Sequence, residues 1–524
     1  MTSSAVSPTT SPRWQTTLAR PWLYWPLLIG SAAATPWAFA PYRLFWLLPL
    51  LFALLVLLTL LRPDRQIRSA YLWGLVAYSA QFYWINIALH DVAGLPQLFA
   101  IPLTLLLPAY LAVYPALSFW LLGLFRLPES LRMGVVLPLL WTLTEFIREH
   151  ALTGFGWGAL GYSQIAASPL AAWAPLSGIA LVTLATACTG AWLALLLKGT
   201  QSTRMYASIG LVALWLGSMG LARIHWTQPD GSHARVALAQ GNIAQSLKWD
   251  EAQFAPTLTR YYQQVQHSQA DIIILPETAI PVMRQDLPPQ VLSAFAAAAK
   301  HNHAALAVGM VQYTSDGRGY QNAVVNLADY HDNTPEATLP YYAKNHLVPF
   351  GEYIPLPALT GWLYQLMNMP LAGFSGGGDA QAPLRLGNQR VAFNICYEDG
   401  FGDELIASAK QSSLLANISN MAWYGQSHAM DQHLQQSQAR ALEMGRYMVR
   451  ATNTGMTAVI NPKGEITALL PPDTAQVLTA EIQGQQGNTP YMQLGSSRPL
   501  MALLVLLCVA LWWRGRRHKP ATKA

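Results

Sequence analysis

The sequence predicts a multi-span α-helical membrane domain of about eight spans joined to an external α/β domain, and two observations carry that prediction. First, 52% of the 524 residues are hydrophobic and only 11% are charged, a balance outside that of ordinary soluble enzymes. Second, the apolar residues are unevenly distributed. Bilayer-length runs crowd residues 22–226 and recur once near the C-terminal end, whereas Thr227–Arg498 shows the shorter alternation of strands and the helical period of about 3.6 residues. The net charge of +6 does not mark a nucleic-acid binder, because the Lys and Arg residues flank apolar runs. The partner they imply is a lipid bilayer, with no nucleic acid.

In chain order, residues 1–21 form a Ser/Thr/Pro-rich tail with Arg13 and Arg20 and no small-residue cleavage site behind a short apolar core, which reads as a retained cytoplasmic tail. The membrane domain, residues 22–226, has apolar runs at Trp22–Ala40, Leu44–Leu61, Ala70–Leu89, Leu98–Phe125, Arg132–Ile147, Leu176–Leu197 and Met205–Ala222. Pro26 and Pro36 interrupt the first, and Pro102, Pro108 and Pro115 predict a tilt or kink in the fourth. Orientation follows from the cations: Arg62, Arg65, Arg68, Arg126, Arg132, Lys198 and Arg204 fall in alternate loops, while the intervening His90–Gln97 has none. With the N-terminus cytoplasmic, residues 227–498 are external. Residues 499–513 return the chain through an eighth span, and 514–524 form a basic cytoplasmic tail. In the loop Ala151–Pro175, Phe155, Trp157 and Tyr162 among glycines read equally as an interface anchor or as an acyl-chain contact. Glu145 and Arg148, three residues apart, predict a local ion pair near the lipid surface.

In the external domain, strands are expected at Arg235–Gln240, Asp271–Leu275, Ala304–Gln312, Asn322–Ala328, Arg390–Ile395, Ser413–Ile418, Met448–Thr452, Thr457–Ile460 and Val477–Glu481. Helices are expected at Asp250–His267, Leu287–His301, Gly402–Lys410 and His428–Tyr447, with a hairpin turn at Asn461–Gly464. Periodicity alone gives a two-sheet or doubly wound α/β domain. Cys396 sits where a strand gives way to a helix start, and nearby helical N–H groups favour a thiolate there. Cys188 and Cys508 fall inside expected spans, so Cys396 is the lone thiol of the external domain and has no disulfide partner in it. His346 and His433 lack companions at metal-ligand spacing, and no phosphate loop or dinucleotide fingerprint occurs, so neither metal nor cofactor is expected.

Two further stretches bear on that cysteine. ADIIILPETAIP sets Glu277 just past an apolar strand, and YYAKNHLVPFGEYIP sets Lys344 and Glu352 in a loop with Pro349 and Gly351. Together with CYE, NISNMAWYG and RATNTG, spread over roughly Val236–Ile482, these motifs resemble the nitrilase superfamily, in its membrane-bound branch of apolipoprotein N-acyltransferases. The resemblance implies an α/β/β/α sandwich and a Glu277–Lys344–Cys396 triad. It implies that Glu352 orients Lys344 or an incoming amine, and that Tyr397 and Glu398 support activity. Trp249, in an entrance loop, and Trp423 and Asn417, with Ser419, in a pocket wall, are its candidate substrate contacts. Arg440, Glu443, Arg446 and Arg450 read as a structural ion network.

What the resemblance implies chemically is acyl transfer through a thioester on Cys396. The donor would be a membrane phospholipid such as phosphatidylethanolamine, and the acceptor the N-terminal amine of a diacylglyceryl-cysteine apolipoprotein. The setting would be a bacterial inner membrane with the catalytic domain on its periplasmic face. A tethered nitrilase-type amidase, with water resolving the thioester, and a non-catalytic membrane binding protein are the alternatives. An amidase tether needs only one span and a transporter needs intramembrane polar sites, so many spans with few internal charges favour a lipid substrate.

Overall fold

The computed structural model describes residues 12–165, 167–330, 338–358, 361 and 373–517. Every expected apolar run carries helix: Pro21–Ala33, Leu47–Leu61, Gln66–Gln81, Gln97–Leu122, Glu129–Thr153, Pro169–Lys198, Gln201–Leu221 and Arg498–Arg517. Five of these, beginning with Gln97–Leu122, are long and apolar enough to cross a membrane; Leu47–Leu61 and Pro63–Gln81, bent by 110° at Arg62, would together make a sixth. The C-terminal helix is 20 residues long because it continues through Arg514–Arg517 instead of stopping at Trp513. Its outward side and that of Gln201–Leu221 are apolar and bare: Leu506 is 66% exposed, Tyr206 69% and Leu216 62%. Such surface is stable only against lipid or a partner. Inside the bundle, Trp141 packs edge-on against Phe52 at 4.8 Å. Gly190 lets its helix meet Leu47–Leu61, since a Cβ there would lie 2.7 Å from the Pro49 carbonyl.

The α/β part contains β1 Gln228–Gln240, β2 Ile272–Ile274, β3 Ile280–Met283, β4 Ala305–Tyr313, β5 Tyr320–Asn326, β6 Tyr341–Ala343, β7 Leu384–Leu386, β8 Gln389–Ile395, β9 Leu414–Ser419, β10 Met448–Thr452, β11 Thr457–Ile460, β12 Ile466–Leu470 and β13 Gln476–Gln486. One sheet runs β13-β1-β2-β4-β5-β6, with β3 beside β4, and the other β12-β11-β10-β9-β8-β7. In each, a parallel centre, β1-β2-β4 or β10-β9-β8, is flanked by antiparallel strands.

The period of two divides the burial. Val236, Leu238, Ile272 and Ile274 of the first sheet share one cluster with Phe393, Ile395, Ala416 and Ile418 of the second. The alternate residues Ala237, Ala239 and Ile273 pack with Tyr261, Val265 and Phe295, from helices Glu251–His267 and Pro289–His301. On the second sheet, Ala392, Leu415 and Met448 pack with Leu405, Leu434 and Met444, from Gly402–Ala409 and Ala429–Met444. The consequence for chemistry is that Glu277, Cys396, Asn420 and Asn453 all lie just beyond the C-terminal ends of parallel strands.

Candidate active site

Cys396 comes directly after β8 in a left-handed backbone conformation, φ 53°, which an ordinary L-residue holds only when its surroundings enforce it. The enforcing group is Glu398. Its Oε2 accepts from the Ile395 N–H at 2.7 Å, and its Oε1 accepts from the Asn345 and His346 N–H groups at 2.7 and 3.0 Å. The Tyr342 hydroxyl donates to the same carboxylate at 2.9 Å. One buried acid thereby fastens the Cys396 turn to the segment bearing Lys344. Burial pushes the Glu398 carboxyl up to about 7 against the lowering effect of these donors. From the other side the Cys396 carbonyl accepts from His433 Nε2 at 2.9 Å, while Arg450 Nη2 stands 2.6 Å from Nδ1. Since a guanidinium can only donate, His433 is the neutral Nε2–H tautomer. Burial and the Arg450 charge hold its pKa well below the ordinary value. Arg450 is paired in turn with Asp399 at 3.1 Å.

Glu277 is 8% exposed and Lys344 is 1% exposed. The Glu277 carboxylate accepts from the Asn420 N–H at 2.7 Å and from Asn322 Nδ2 at 2.6 Å. Lys344 Nζ lies 2.9 and 2.8 Å from the two oxygens of Glu352, which also accepts from the Val348 N–H at 2.8 Å. Asn322 bridges the acids, with the same Nδ2 at 3.4 Å from Glu352. Burial lowers the Lys344 pKa, but Glu352, Cys396 and Glu277 outweigh it, so the lysine is held above its ordinary value and is a cation.

The thiol departs from the sequence expectation. Burial and then the Glu277 charge push Cys396 up to about 12, and Lys344 and Arg450 offset only part of this. Only a single tight turn, Cys396–Gly400, precedes the helix Gly402–Ala409, so burial outweighs the helical N–H groups. The resting thiol is protonated. Lys248, which carries no motif of its own, is buried with Nζ donating to the Glu277 carbonyl at 3.0 Å, and burial lowers its pKa to about 8. The roles of Asn322 and His433 gave no local signal, because their partners are distant in sequence, whereas Asn420 lies within the NISNMAWYG motif.

In the loop Ala151–Pro175 the rings expected at a bilayer interface or an acyl chain turn inward, with Phe155 half-buried. Trp157 is 4% and Tyr162 3% exposed. The Tyr397 hydroxyl donates to the Gly154 carbonyl at 2.8 Å, His346 Nε2 lies 2.8 Å from the Thr153 carbonyl, and Trp157 stacks on His433 with ring centres 5.6 Å apart. Glu145 and Arg148 do not form the expected surface ion pair. Both are buried: Glu145 accepts from Trp141, the Leu160 N–H and Thr183, and Arg148 donates to the Trp157 carbonyl at 2.9 Å. Two membrane-domain charges therefore shape a loop that braces the Cys396 turn.

Residues 235–491 match the carbon-nitrogen hydrolase family, and residues 31–192 match the apolipoprotein N-acyltransferase N-terminal domain. A Neisseria meningitidis protein named apolipoprotein N-acyltransferase is 61% identical over 502 residues, 95% of this chain and 98% of its own. The chain belongs to the apolipoprotein N-acyltransferase family. A member from Chromobacterium violaceum is 51% identical over 495 residues, 94% of this chain and 95% of its own. A solved CN-hydrolase superfamily protein from Xanthomonas campestris aligns with TM-score 0.36 at 19% identity, covering 52% of this chain and 97% of its own.

The other candidates distribute unevenly in this apolipoprotein N-acyltransferase family member. Trp249, beside Lys248, and Trp423, in the turn Met421–Tyr424, are half-buried. Asn417 is not a wall residue open to substrate: it is fully buried, with Nδ2 donating to Asn394 and Oδ1 accepting from Ser419 and Arg450. Ser419 is buried with it. The expected ion network holds for three of its four residues, because Arg440 also donates to the Asp399 carbonyl at 3.1 Å and so joins the two pairs, while Arg446 stands apart. Arg440 Nη2 pairs with Glu443 at 2.9 Å, Arg450 serves Asp399, and Arg446 donates to the Ser412 and Gly487 carbonyls. Glu443 also accepts from the Ile179 N–H at 2.8 Å, where Ser177 and Gly178 break the membrane helix.

Proposed function

We propose that this protein transfers a fatty acyl chain from a membrane phospholipid to the N-terminal amine of a diacylglyceryl-cysteine apolipoprotein, the final step of lipoprotein maturation. The observation that carries the reading is the apolar cluster around the nucleophile turn. Tyr397, Phe401 and Met421 of the α/β part pack with Phe82, Trp84 and Trp157 of the membrane part, which sets Cys396 at the junction with the membrane helices, where a membrane lipid is a better substrate than a soluble amide.

In this reading Glu277 takes the proton of the Cys396 thiol as sulfur attacks the ester carbonyl, preferentially at the sn-1 position of phosphatidylethanolamine. Lys344, held by Glu352, and backbone N–H groups including that of Tyr397 stabilise the oxyanion. The ester C–O bond breaks, the lysophospholipid leaves with the proton from Glu277, and an acyl thioester remains. The acceptor amine then attacks the thioester, gives its proton to Glu277, and expels the thiolate as the amide forms; the thiolate is reprotonated. We further infer eight crossings, with residues 22–226 as the membrane domain, 499–513 within the last crossing, and both termini cytoplasmic. Residues 227–498 form the periplasmic α/β/β/α sandwich on a bacterial inner membrane. The facing sheets with helices outside them and the bare apolar helices support this arrangement.

The test uses the full chain in phospholipid micelles with labelled sn-1 chains. Label should become bound to Cys396 as a hydroxylamine-sensitive thioester without acceptor, and a lipopeptide amine should discharge it. Failure to acylate would refute acyl transfer, and rapid loss of the thioester to water would favour the amidase.

A further inference from the structure

A second groove lies far from Cys396. At the opposite end of the helix Gln66–Gln81 from Phe82 and the catalytic cluster, about 20 Å along its axis, is a groove of about 860 Å³. Tyr71, Phe119, Trp120 and Leu124 line it, together with Arg68 and Arg132. Trp120 is 52% and Leu124 51% exposed, so the groove opens onto the lipid-facing surface.

Its charges are unbalanced. Of the two acids in the lining, Asp64 is held by Arg62 at 3.1 Å and Arg65 at 3.4 Å, and Glu129 by Lys198 at 3.2 Å. Among the described residues, neither Arg68 nor Arg132 lies within ion-pair distance of a carboxylate. Arg132 Nε is buried and has no acceptor among them. A buried guanidinium N–H at the edge of a bilayer is costly unless an anion accepts from it. Beside it stands exposed apolar surface of the kind hydrocarbon covers.

We propose that this groove binds a net-anionic phospholipid, with its phosphate between Arg68 and Arg132 and an acyl chain along Phe119, Trp120 and Leu124. Phosphate suits the guanidinium fork. Discrimination against zwitterionic lipids follows because Asp64 and Glu129 are already paired, leaving no free acid for a headgroup ammonium. The site is distinct from the acyl-donor site and does not rest on the proposed reaction.

The experiment is native mass spectrometry of the full chain in detergent with diether phosphatidylglycerol or diether phosphatidylcholine of the same chains, neither of which can donate an acyl group. Phosphatidylglycerol should be retained about tenfold or more over phosphatidylcholine, and the R68Q/R132Q variant should bring the two to parity. The R514Q/R516Q variant should keep the preference, because those cations lie outside the groove. If R68Q/R132Q does not fold, the exposed single variant R68Q should still reduce the preference about threefold or more. Equal retention of the two lipids, a preference that survives loss of Arg68 and Arg132, or one lost equally in R514Q/R516Q would overturn the proposal.

Discussion

Replacing Glu398 by Gln keeps the shape of the side chain but removes one of its two acceptor oxygens, and the structure says what that should cost. If the remaining amide oxygen serves the Asn345 and His346 N–H groups, the new NH2 faces the Ile395 N–H that now donates at 2.7 Å. The Tyr342 hydroxyl can turn and accept from the amide, but the Ile395 N–H cannot. One buried donor is orphaned, at about 1–3 kcal/mol, and the two surviving bonds lose their charge assistance, at about 1 kcal/mol each. The total, about 3–5 kcal/mol, falls on the turn that holds Cys396 at φ 53° and on its tie to Lys344. Since about 1.4 kcal/mol is tenfold in rate, acylation should slow by about 10² to several times 10³. The assay is a quenched time course of acyl-Cys396 formation at saturating phospholipid, in protein that inserts and folds like wild type. Acylation within about threefold of wild type would refute the argument. Acid should act as the amide does. Glu398 is raised from 4.5 to about 7, so the folded protein binds this proton more tightly than the unfolded chain across that window. Its contribution to stability therefore falls as pH rises from about 4.5 to 7, while the ionised acceptor needed for acylation is gained. Acylation should decline below about pH 7, and Glu398→Gln should flatten that limb.

Other expected outcomes rest on the same geometry. Alkylation of resting Cys396 by iodoacetamide should keep rising from pH 7 to 10 with no plateau, because its thiol is pushed up to about 12; a plateau near pH 8 would indicate a preformed thiolate. Glu277→Gln should leave no detectable acyl-enzyme, whereas Glu352→Gln should leave acyl-enzyme that forms or discharges about tenfold or more slowly; normal acylation in Glu277→Gln would remove it as the base. His433→Ala should slow acylation about tenfold or more with little change in the phospholipid KM, and His433→Gln, whose NH2 can still donate to the Cys396 carbonyl, should recover part of the loss; a change confined to KM would contradict a positioning role. Reporter fusions ending after Arg68, Arg132 or Arg204 should report cytoplasm, and fusions within 227–498 the outer face; one inverted inner loop would break the eight-crossing topology.

What was legible in the sequence was local. Strands such as Arg390–Ile395 and Thr457–Ile460, the Asn461–Gly464 turn and the helix after Asp250 follow from period and turn chemistry, and the structure has β8, β11 and Glu251–His267 there. Of the strands that were not expected, β3 contains Pro281, which argues against a strand, and β6 and β7 are three residues long without the continuous apolar run that marks β2. The thiolate expectation failed for a related reason: the helical N–H effect is local and readable, whereas burial is set by the whole fold. Glu145 and Arg148 looked like a pair because they are three apart, yet their partners, Leu160, Thr183 and Trp157, come from the following loop and helix. Glu277, Lys344 and Cys396 were recognisable by their motifs. Asn420 and Arg450 fall within the NISNMAWYG and RATNTG motifs, but which groups Asn322, Asn420, His433 and Arg450 hold was visible only once the chain was folded.

Those holding groups also bear on why the catalytic part is built onto many membrane helices. A tether would need one helix, and it would touch the α/β domain only at its end. Here the Cys396 carbonyl is held by His433, which is stacked on Trp157, and the Trp157 carbonyl is held by Arg148 within the helix Glu129–Thr153. Tyr397, next to the nucleophile, donates to Gly154, a position where φ is 81° and a Cβ would lie 2.0 Å from the Glu149 carbonyl. No other residue fits there, so the loop keeps one shape and presents one fixed surface to the turn. A left-handed cysteine stays in place only if its surroundings are rigid on every side. In this protein one of those sides is membrane helix, so the bundle is part of the scaffold that holds Cys396 as well as an anchor for the α/β part.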